Sequence, residues 1–422
     1  MSKPQDRTVS QREGGQWINA RSDASRASSI HSTQQEAINA ARDNRSRQGG
    51  GEFHIHGVNG RIRETMFGQR LRLARKRKGL SMQALAERVD PKISAQAISK
   101  YETDKMMPSS AVLVGLGKAL GVSLDFLLGG EVEALQSVEW RKHSKATVQD
   151  RAMAEVLVTE KLENYLAIES ILDLHASVDF FKDLRVDYLP NEEAIDNKAR
   201  EVREKWNLGI DPIPSMTALL EDKGLKVIEA DLPERINGLA CHVERAAKPP
   251  TEVIVVARAT NVERKRFNLA HELAHRVIIE IGNPALKKEP AMNRFAGAFL
   301  VPCEHLKEEA GSNRHGMTWK EIMQLKRTYG VSAAAMLVRL GQVGVLPKSF
   351  VEYAFKTTAR SWRREEPDPI SGKEGFATFE KPQRFENLVW RALGEKLISP
   401  LRASQMLELP RSTVERDIRG SE

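Results

Sequence analysis

Residues 267–275 read FNLAHELAH, and the chain runs on as RVIIEIGNPALKKEPAMNRFAGAFL to residue 300. Apolar Phe267, Ala270, Ala274, Val277, Ile278 and Ile281 recur at helical spacing, which predicts a buried helix ending at Gly282-Asn283-Pro284. His271 and His275 stand four apart, so both imidazoles leave one face and can grip a single ion. Glu272 sits beside them, where its carboxylate can reach a water on that ion. Two histidines on an apolar helix are also compatible with packed core residues; the glutamate between them favours the metal. A third ligand is expected from the next helix. There Glu289 and Asn293, spaced E-x-x-x-N, share a face, which offers a carboxylate to the ion and an amide to orient a ligand. Glu280 is the competing carboxylate, but five residues past His275 on the same helix it points elsewhere.

The strings RFNLAHELAH and EPAMNRFAGAFLVP strongly resemble the ImmA/IrrE family of zinc metallopeptidases, over roughly residues 190–345. The resemblance implies a zincin-like α+β domain with His271, His275 and Glu289 as zinc ligands and Glu272 as catalytic acid/base. Three protein ligands leave one zinc position for a water, whose pKa falls to about 7, and Glu272 would take its proton. Family members include proteases that cleave a helix-turn-helix repressor, and many are fused to an XRE domain in this order. Asn268 stands where the family usually has threonine, Met292 where it has alanine, and Pro290 follows Glu289. Proline disfavours helical backbone in the residue before it, so Glu289 is expected at the helix start.

Charge points to a second activity. The chain carries a net +8, and residues 66–130 hold eleven Lys and Arg against five Asp and Glu, a local +6. Arg70, Arg72, Arg75, Lys76, Arg77 and Lys78 supply the densest run. Five short helices are predicted here: Phe67–Lys78, one capped by Ser81, one capped by Ser94 and reaching Tyr101, one from Pro108 to Leu120 stopped by Gly121, and Leu124–Leu128. Two short helices joined by a tight turn amid basic residues suit a DNA major groove. The string SMQALAERV…ISAQAISKYETDKMMPSSAVLVGLGKALGVSLDFLL closely resembles the Cro/C1-type (XRE) helix-turn-helix family. It implies that Ser94–Tyr101 is the recognition helix, with Ala95, Gln96, Ser99 and Lys100 facing DNA and Arg75 and Lys76 adding contacts. Leu85, Ala86, Ile98 and Leu113 then hold the core.

Residues 1–65 are rich in Ser, Gln, Arg and Gly but carry strands at Trp17–Ala20, Ala24–Ser29 and Glu52–His56, with a helix from Thr33 to Gln48. SRASSIHSTQQEAINAAR…EFHIHGVNGRIRE resembles a short bacterial domain of unknown function. His54 and His56 alternate on a strand and could bind metal, although a solvent-facing pair is the preferred reading. Val158, Leu162, Tyr165, Ile168 and Leu172 stripe a long helix in 131–189, whether as dimer seam, link or core. Another helix begins at Asn191, and strands follow at Leu225–Ala230, Gly238–Val243 and Val253–Arg258, the middle one offering an edge to an extended peptide. Two helices in Met317–Leu340 close the peptidase; polar residues 356–380 read as a linker. Phe385–Leu397 and Ser399–Ile418 form a helical tail, a packing element rather than a second helix-turn-helix.

Of the 422 residues 41% are apolar and 29% charged, an ordinary globular mixture. Cys241 and Cys303 form no CxxC, which excludes a disulfide scaffold or a cysteine-based zinc site. No stretch approaches the roughly 18–20 uncharged apolar residues that span a bilayer, the polar start MSKPQDRTVS lacks an apolar signal core, and a cytoplasmic location is expected. The expected fold is multidomain and mainly α with α+β parts: a small α/β domain (1–65), a five-helix DNA-binding domain (66–130), a helical linker (131–189), a zinc metallopeptidase domain (190–345), and a linker with a helical tail (346–422). The expected function is a DNA-binding regulator whose Zn2+-dependent endopeptidase cleaves a repressor-type protein, itself or a partner; the alternative is a regulator whose zinc domain only senses or binds. A double-stranded operator, a repressor-type substrate and a homodimer are the expected partners, and no membrane.

Overall fold

The computed structural model describes residues 7–12, 16–21, 26–31, 36–37, 40, 53–55, 65–128, 132–142, 146–174, 181–245, 248–370 and 380–419. Four short strands open the chain: β1 (Arg7–Gln11), β2 (Trp17–Arg21), β3 (Ala27–His31) and β4 (Phe53–Ile55). Their order is β3-β2-β1-β4, with β1 and β2 antiparallel in the register Val9↔Asn19 and β1 parallel to β4 in the register Thr8↔His54. Val9, Trp17 and Ala37 are buried. The central strand β1 escapes the sequence pattern because Val9 is its one apolar residue. The helix expected over Thr33–Gln48 lies largely outside the described residues, apart from helical positions 36, 37 and 40, and His56 lies outside them altogether.

Five helices follow: α1 (Thr65–Arg77), α2 (Met82–Arg88), α3 (Ala95–Glu102), α4 (Ser110–Leu120) and α5 (Leu124–Leu128). Ser81, Ser94 and Ser109 each accept a hydrogen bond from the backbone N–H three residues on, which satisfies a donor that a helix start leaves orphaned. Gly121, at φ +62°, ends α4 in the left-handed region that a Cβ would strain. Phe67, Leu71, Leu85, Ile98, Leu116 and Phe126 are almost wholly buried in this core. Each such side chain contributes roughly 1.5–3 kcal/mol. Leu113 is only partly buried, and Val112 takes the inner place.

The expected helical linker is not all helix. Val132–Lys142 forms a strand, β5, ahead of the long helix α6 (Val148–Ile171). VEALQSVEWRK places Val132, Ala134, Val138 and Trp140 at even positions between mostly polar neighbours, which is a strand period. Val156 of α6 joins the core of the five helices, and Glu163 pairs with Arg70 at 2.6 Å. This core therefore extends past residue 130.

The chain divides into two compact units, residues 1–167 with 232–236 and 241–251, and residues 168–231 with 237–240 and 252–422. The second contains α7 (Glu192–Lys205), capped by Asn191, and α8 (Met216–Asp222), capped by Ser215. Next come β6 (Lys226–Ala230), β7 (Ile236–Arg245) and β8 (Lys248–Ala257), in the strand order β5-β7-β8-β6. β6 and β8 are parallel in the register Ile228↔Val255. Strand β7 has a neighbour on each side, so it offers no free edge to a peptide, contrary to its position in sequence. Gly238 lets it approach β8, since a Cβ there would lie 2.6 Å from the Val255 carbonyl oxygen.

The remaining helices are α9 (Val262–Val277), α10 (Lys288–Leu300), α11 (Cys303–Ala310), α12 (Trp319–Tyr329), α13 (Ala333–Gln342) and α14 (Lys348–Lys356), then α15 (Arg384–Gly394), α16 (Pro400–Leu407) and α17 (Arg411–Arg419). Helix α9 stops five residues short of Gly282. Ile278 instead pairs in a parallel bridge with Val186, whose N–H donates to Val277 O at 2.8 Å and whose carbonyl accepts from Ile279 at 2.9 Å. The β-branched run Val277-Ile278-Ile279 favours that extended path. Residues 357–370 are no free linker: Ala359 and Trp362 are buried, and Trp362 meets Trp319 edge-on at 5.5 Å. The chain is thus multidomain and mainly helical with α+β parts, as its pattern predicts.

Glu221, at the end of α8, accepts from the N–H groups of Gln383 and Arg384 at the start of α15, each at 3.4 Å. Burial pushes its carboxyl up to about 7, against the pull of those N–H groups and of Arg384 and with a further push from Asp222. A carboxyl raised on folding contributes stability that is complete below its unfolded value and is lost as pH rises through about 7. Glu221→Gln keeps the acceptor and removes the charge. It should raise stability at pH 8 by roughly 2 kcal/mol and change nothing at pH 4.5, as read by denaturant midpoints.

Candidate metal centre

Helix α9 begins where the Asn261 side chain accepts from Arg264 N–H at 3.0 Å, and it buries Leu269, Ala270, Leu273 and Ala274 against the core. That packing fixes its rotation, so His271 and His275 leave the opposite side together. Helix α10 packs against it through Met292, Phe295, Ala296 and Phe299, with Phe295 and Phe299 stacked at 5.8 Å. Glu289 lies in the first turn of α10, as the following proline predicts, and its side chain is 69% exposed.

The three donors converge. His271 Nε2 lies 3.1 Å from His275 Nε2 and 3.5 Å from Glu289 Oε2, and His275 Nε2 is 3.9 Å from Glu289 Oε1. Ligand atoms about 2.05 Å from one tetrahedral zinc would be about 3.3 Å apart, and the observed spacings bracket that value. Among the described residues this is the one group of three or more His, Cys, Asp and Glu donors that converges so closely. His271 Nδ1 is 2.9 Å from Asn293 Oδ1. A carbonyl oxygen can only accept, so Nδ1 carries the proton and Nε2 presents its lone pair toward the other donors. The donor set therefore suits Zn2+. Glu272 is 2% exposed on the same helix, and Glu280, beyond the helix end, is exposed and outside the group. A cavity of about 680 Å³ lined by Lys287, Pro290, Ala291 and Arg294 lies on the far side of α10 from Glu289 and Asn293, so it is not this cleft.

Residues 220–341 match the profile of the IrrE N-terminal-like peptidase domain, and residues 71–127 match the helix-turn-helix profile. The chain joins a helix-turn-helix domain to an IrrE-like peptidase domain. Residues 7–65 match a third profile, described as an uncharacterized protein conserved in bacteria. A relative from Bacillus subtilis (strain 168), the SPbeta prophage-derived HTH-type transcriptional regulator YonR, is 45% identical over 65 residues, covering 15% of this chain and 58% of that protein. The chain thus spans little more than half the length of that relative. A solved Mycobacterium tuberculosis transcriptional regulator is 19% identical over 41% of this chain and 52% of that one, with a TM-score of 0.23.

In the helix-turn-helix domain, Gln96 and Lys100 are exposed on α3, while Ala95 and Ser99 are half-buried beside them. Arg75 is a correction. Its guanidinium grips both oxygens of Glu102 and donates to Leu80 O at 2.7 Å, so it closes α1 onto α3 instead of facing outward. Arg70 is likewise spent inside, on Phe126 O and Val132 O, and half-buried Arg77 is tied to Leu120 O and Gly121 O at the end of α4. Arg72, Lys76 and Lys78 remain exposed. The basic run therefore carries less outward charge than its count suggests. His54 lies on β4, opposite Thr8.

Sequence reading missed the fully buried Arg266–Glu380 pair at 2.6 Å and the equally buried Lys326–Glu263 pair at 2.9 Å. The available signal was ERKR at residues 263–266, a charged run on a helix otherwise packed in the core.

Proposed function

We propose that this protein is a DNA-binding transcriptional regulator whose zinc endopeptidase domain cleaves a repressor-type protein, itself or a partner, and so relieves repression. The observation that carries this reading is the convergence of His271, His275 and Glu289 beside the buried Glu272. His271, His275 and Glu289 would hold the zinc, which when bound supplies a Lewis acid and lowers the pKa of a water to about 7. Asn293 fixes the His271 ring and its tautomer. Glu272 takes the proton of the attacking water and delivers it to the leaving amine, a general base then a general acid.

DNA recognition falls to α3, with Gln96 suited to adenine edges and Lys100 to guanine or phosphate. Ala95, Ser99 and Lys76 are taken to add contacts to bases or phosphates. A homodimer on a palindromic operator is the arrangement that lets each copy read one half-site. Replacing Gln96 and Lys100 with alanine should weaken specific binding by about 1–3 kcal/mol per lost base contact while leaving the thermal midpoint unchanged. Binding measured across a salt series should also fall steeply with salt, and affinity indifferent to both changes removes this role.

Joining reader and protease in one chain raises their mutual effective concentration, which makes cleavage of a neighbouring subunit geometrically cheap. The test is mass spectrometry of zinc-loaded protein incubated with operator DNA and candidate repressors, wild type against Glu272→Gln. Fragments that appear only with the wild type support the protease. If none depends on Glu272, the domain acts as a zinc-bound sensor or docking module.

A further inference from the structure

The back of α9 is charged and buried, and some of its partners, Glu380 and Ile370 among them, come from beyond the peptidase profile, which ends at residue 341. Arg266 donates from Nη1 to Glu380 Oε2 at 2.6 Å and from Nη2 to Ile213 O at 2.6 Å, and both side chains of the ion pair are fully buried. Glu380 does more than neutralise Arg266. It accepts from the N–H groups of Met216 and Thr217 at 3.1 and 2.6 Å and from the Thr217 hydroxyl at 2.7 Å. One carboxylate thus ties the first turn of α8 to α9. Glu263, one turn earlier, accepts from Lys326 Nζ and from Ile370 N–H, each at 2.9 Å. Lys326 also meets Glu366 at 2.9 Å and the carbonyl of Asp368 at 2.7 Å.

Arg266 and His275 are nine residues apart, two and a half turns, so they project from opposite faces of α9. Glu380 therefore fastens the helix from behind, while Ile370 directly and Glu366 through Lys326 hold its flank at Glu263. We infer that Glu380 is a positioning residue for the metal centre: by clamping Arg266 it sets the rotation and depth at which α9 presents His271 and His275 to Glu289. Burial gives the pair its grip, because neither charge can be left alone in a low-dielectric interior. Helix rotation matters here because the donors must meet within a few tenths of an ångström. The inference rests on the metal reading of α9.

Two forms of the full-length protein test it. One is Glu380→Ala. The other is Glu380→Gln, which keeps an acceptor for Thr217 and removes only the charge that clamps Arg266, so it tests the clamp even if the first variant folds poorly. Hydrogen exchange of amides 262–277 should accelerate at least tenfold in both, with residues 65–128 unchanged. Cobalt(II) titration should show affinity at least tenfold weaker and a changed visible absorption band, a geometric readout that simple destabilisation elsewhere would not move. Unchanged exchange in α9, or faster exchange with wild-type cobalt affinity and spectrum, overturns the inference. If the wild type itself binds no metal, the proposed function fails, and the exchange arm still decides whether Glu380 holds the helix.

Discussion

Replacing His271 with alanine should abolish stoichiometric zinc binding. The wild-type chain is expected to retain one zinc after dialysis; the variant should retain less than about a tenth of that by elemental analysis. With His271 gone, His275 and an exposed Glu289 remain, and two donors cannot close a four-coordinate site. The loss should exceed that of Asn293→Ala, which leaves all three donors and removes the acceptor that fixes one ring; about 10–100-fold in affinity is expected there. Glu272→Gln should keep its zinc, which separates loss of metal from loss of proton transfer. Full zinc in the His271 variant would dismiss the site. Loss in that variant together with unchanged affinity in the asparagine variant would keep the site and dismiss the role given to Asn293.

The cluster of candidate donors was legible because its geometry is local. An i, i+4 pair on a helix shares a face whatever the tertiary fold, and Glu289 and Asn293 obey the same rule on the next helix. Only the meeting of α9 and α10 lay beyond the sequence. The short helices near residue 100 were legible for a similar reason, since Ser81, Ser94 and Ser109 announce their own helix starts. The end of α9 was not. Ile278 and Ile281 continue the helical spacing, yet the backbone from 278 to 281 finds its partners in residues 186–189, about ninety positions away in sequence. No local pattern can register a competitor that distant.

Charge misled in one place and concealed structure in another. The run from Arg70 to Lys78 reads as an outward basic surface, but a guanidinium that finds two carbonyls or a bidentate carboxylate turns inward. Arg70 and Arg75 do so, and the +6 count does not reveal it. Residues 356–380 read as a linker because they are polar, and polarity is the usual mark of a solvated segment. Here Glu366 and Glu380 are polar because they answer buried cations on other elements. A composition rule cannot distinguish a carboxylate bound for water from one bound for Arg266.

That buried ion cluster makes Lys326→Met the most damaging single change expected outside the metal centre. The Lys326 ammonium is fully buried, lies 2.9 Å from both Glu263 and Glu366, and donates to the carbonyls of Pro367 and Asp368. Methionine fills a similar volume but leaves two buried carboxylates facing each other without a cation. Removing one partner of a buried pair costs about 3–5 kcal/mol, far above the 0–1 kcal/mol of an exposed pair such as Arg411–Glu415. For a unit of this size the calorimetric transition should fall by about 10 °C. Glu263→Gln in the same chain removes one of the stranded charges, so the double variant should recover a substantial part of the loss even though it contains more substitutions. Recovery on adding a second mutation is the outcome that separates stranded charge from lost packing. If the double variant is less stable than Lys326→Met, then the lysine stem's contacts, and not its charge, hold α12 and residues 366–370 to α9.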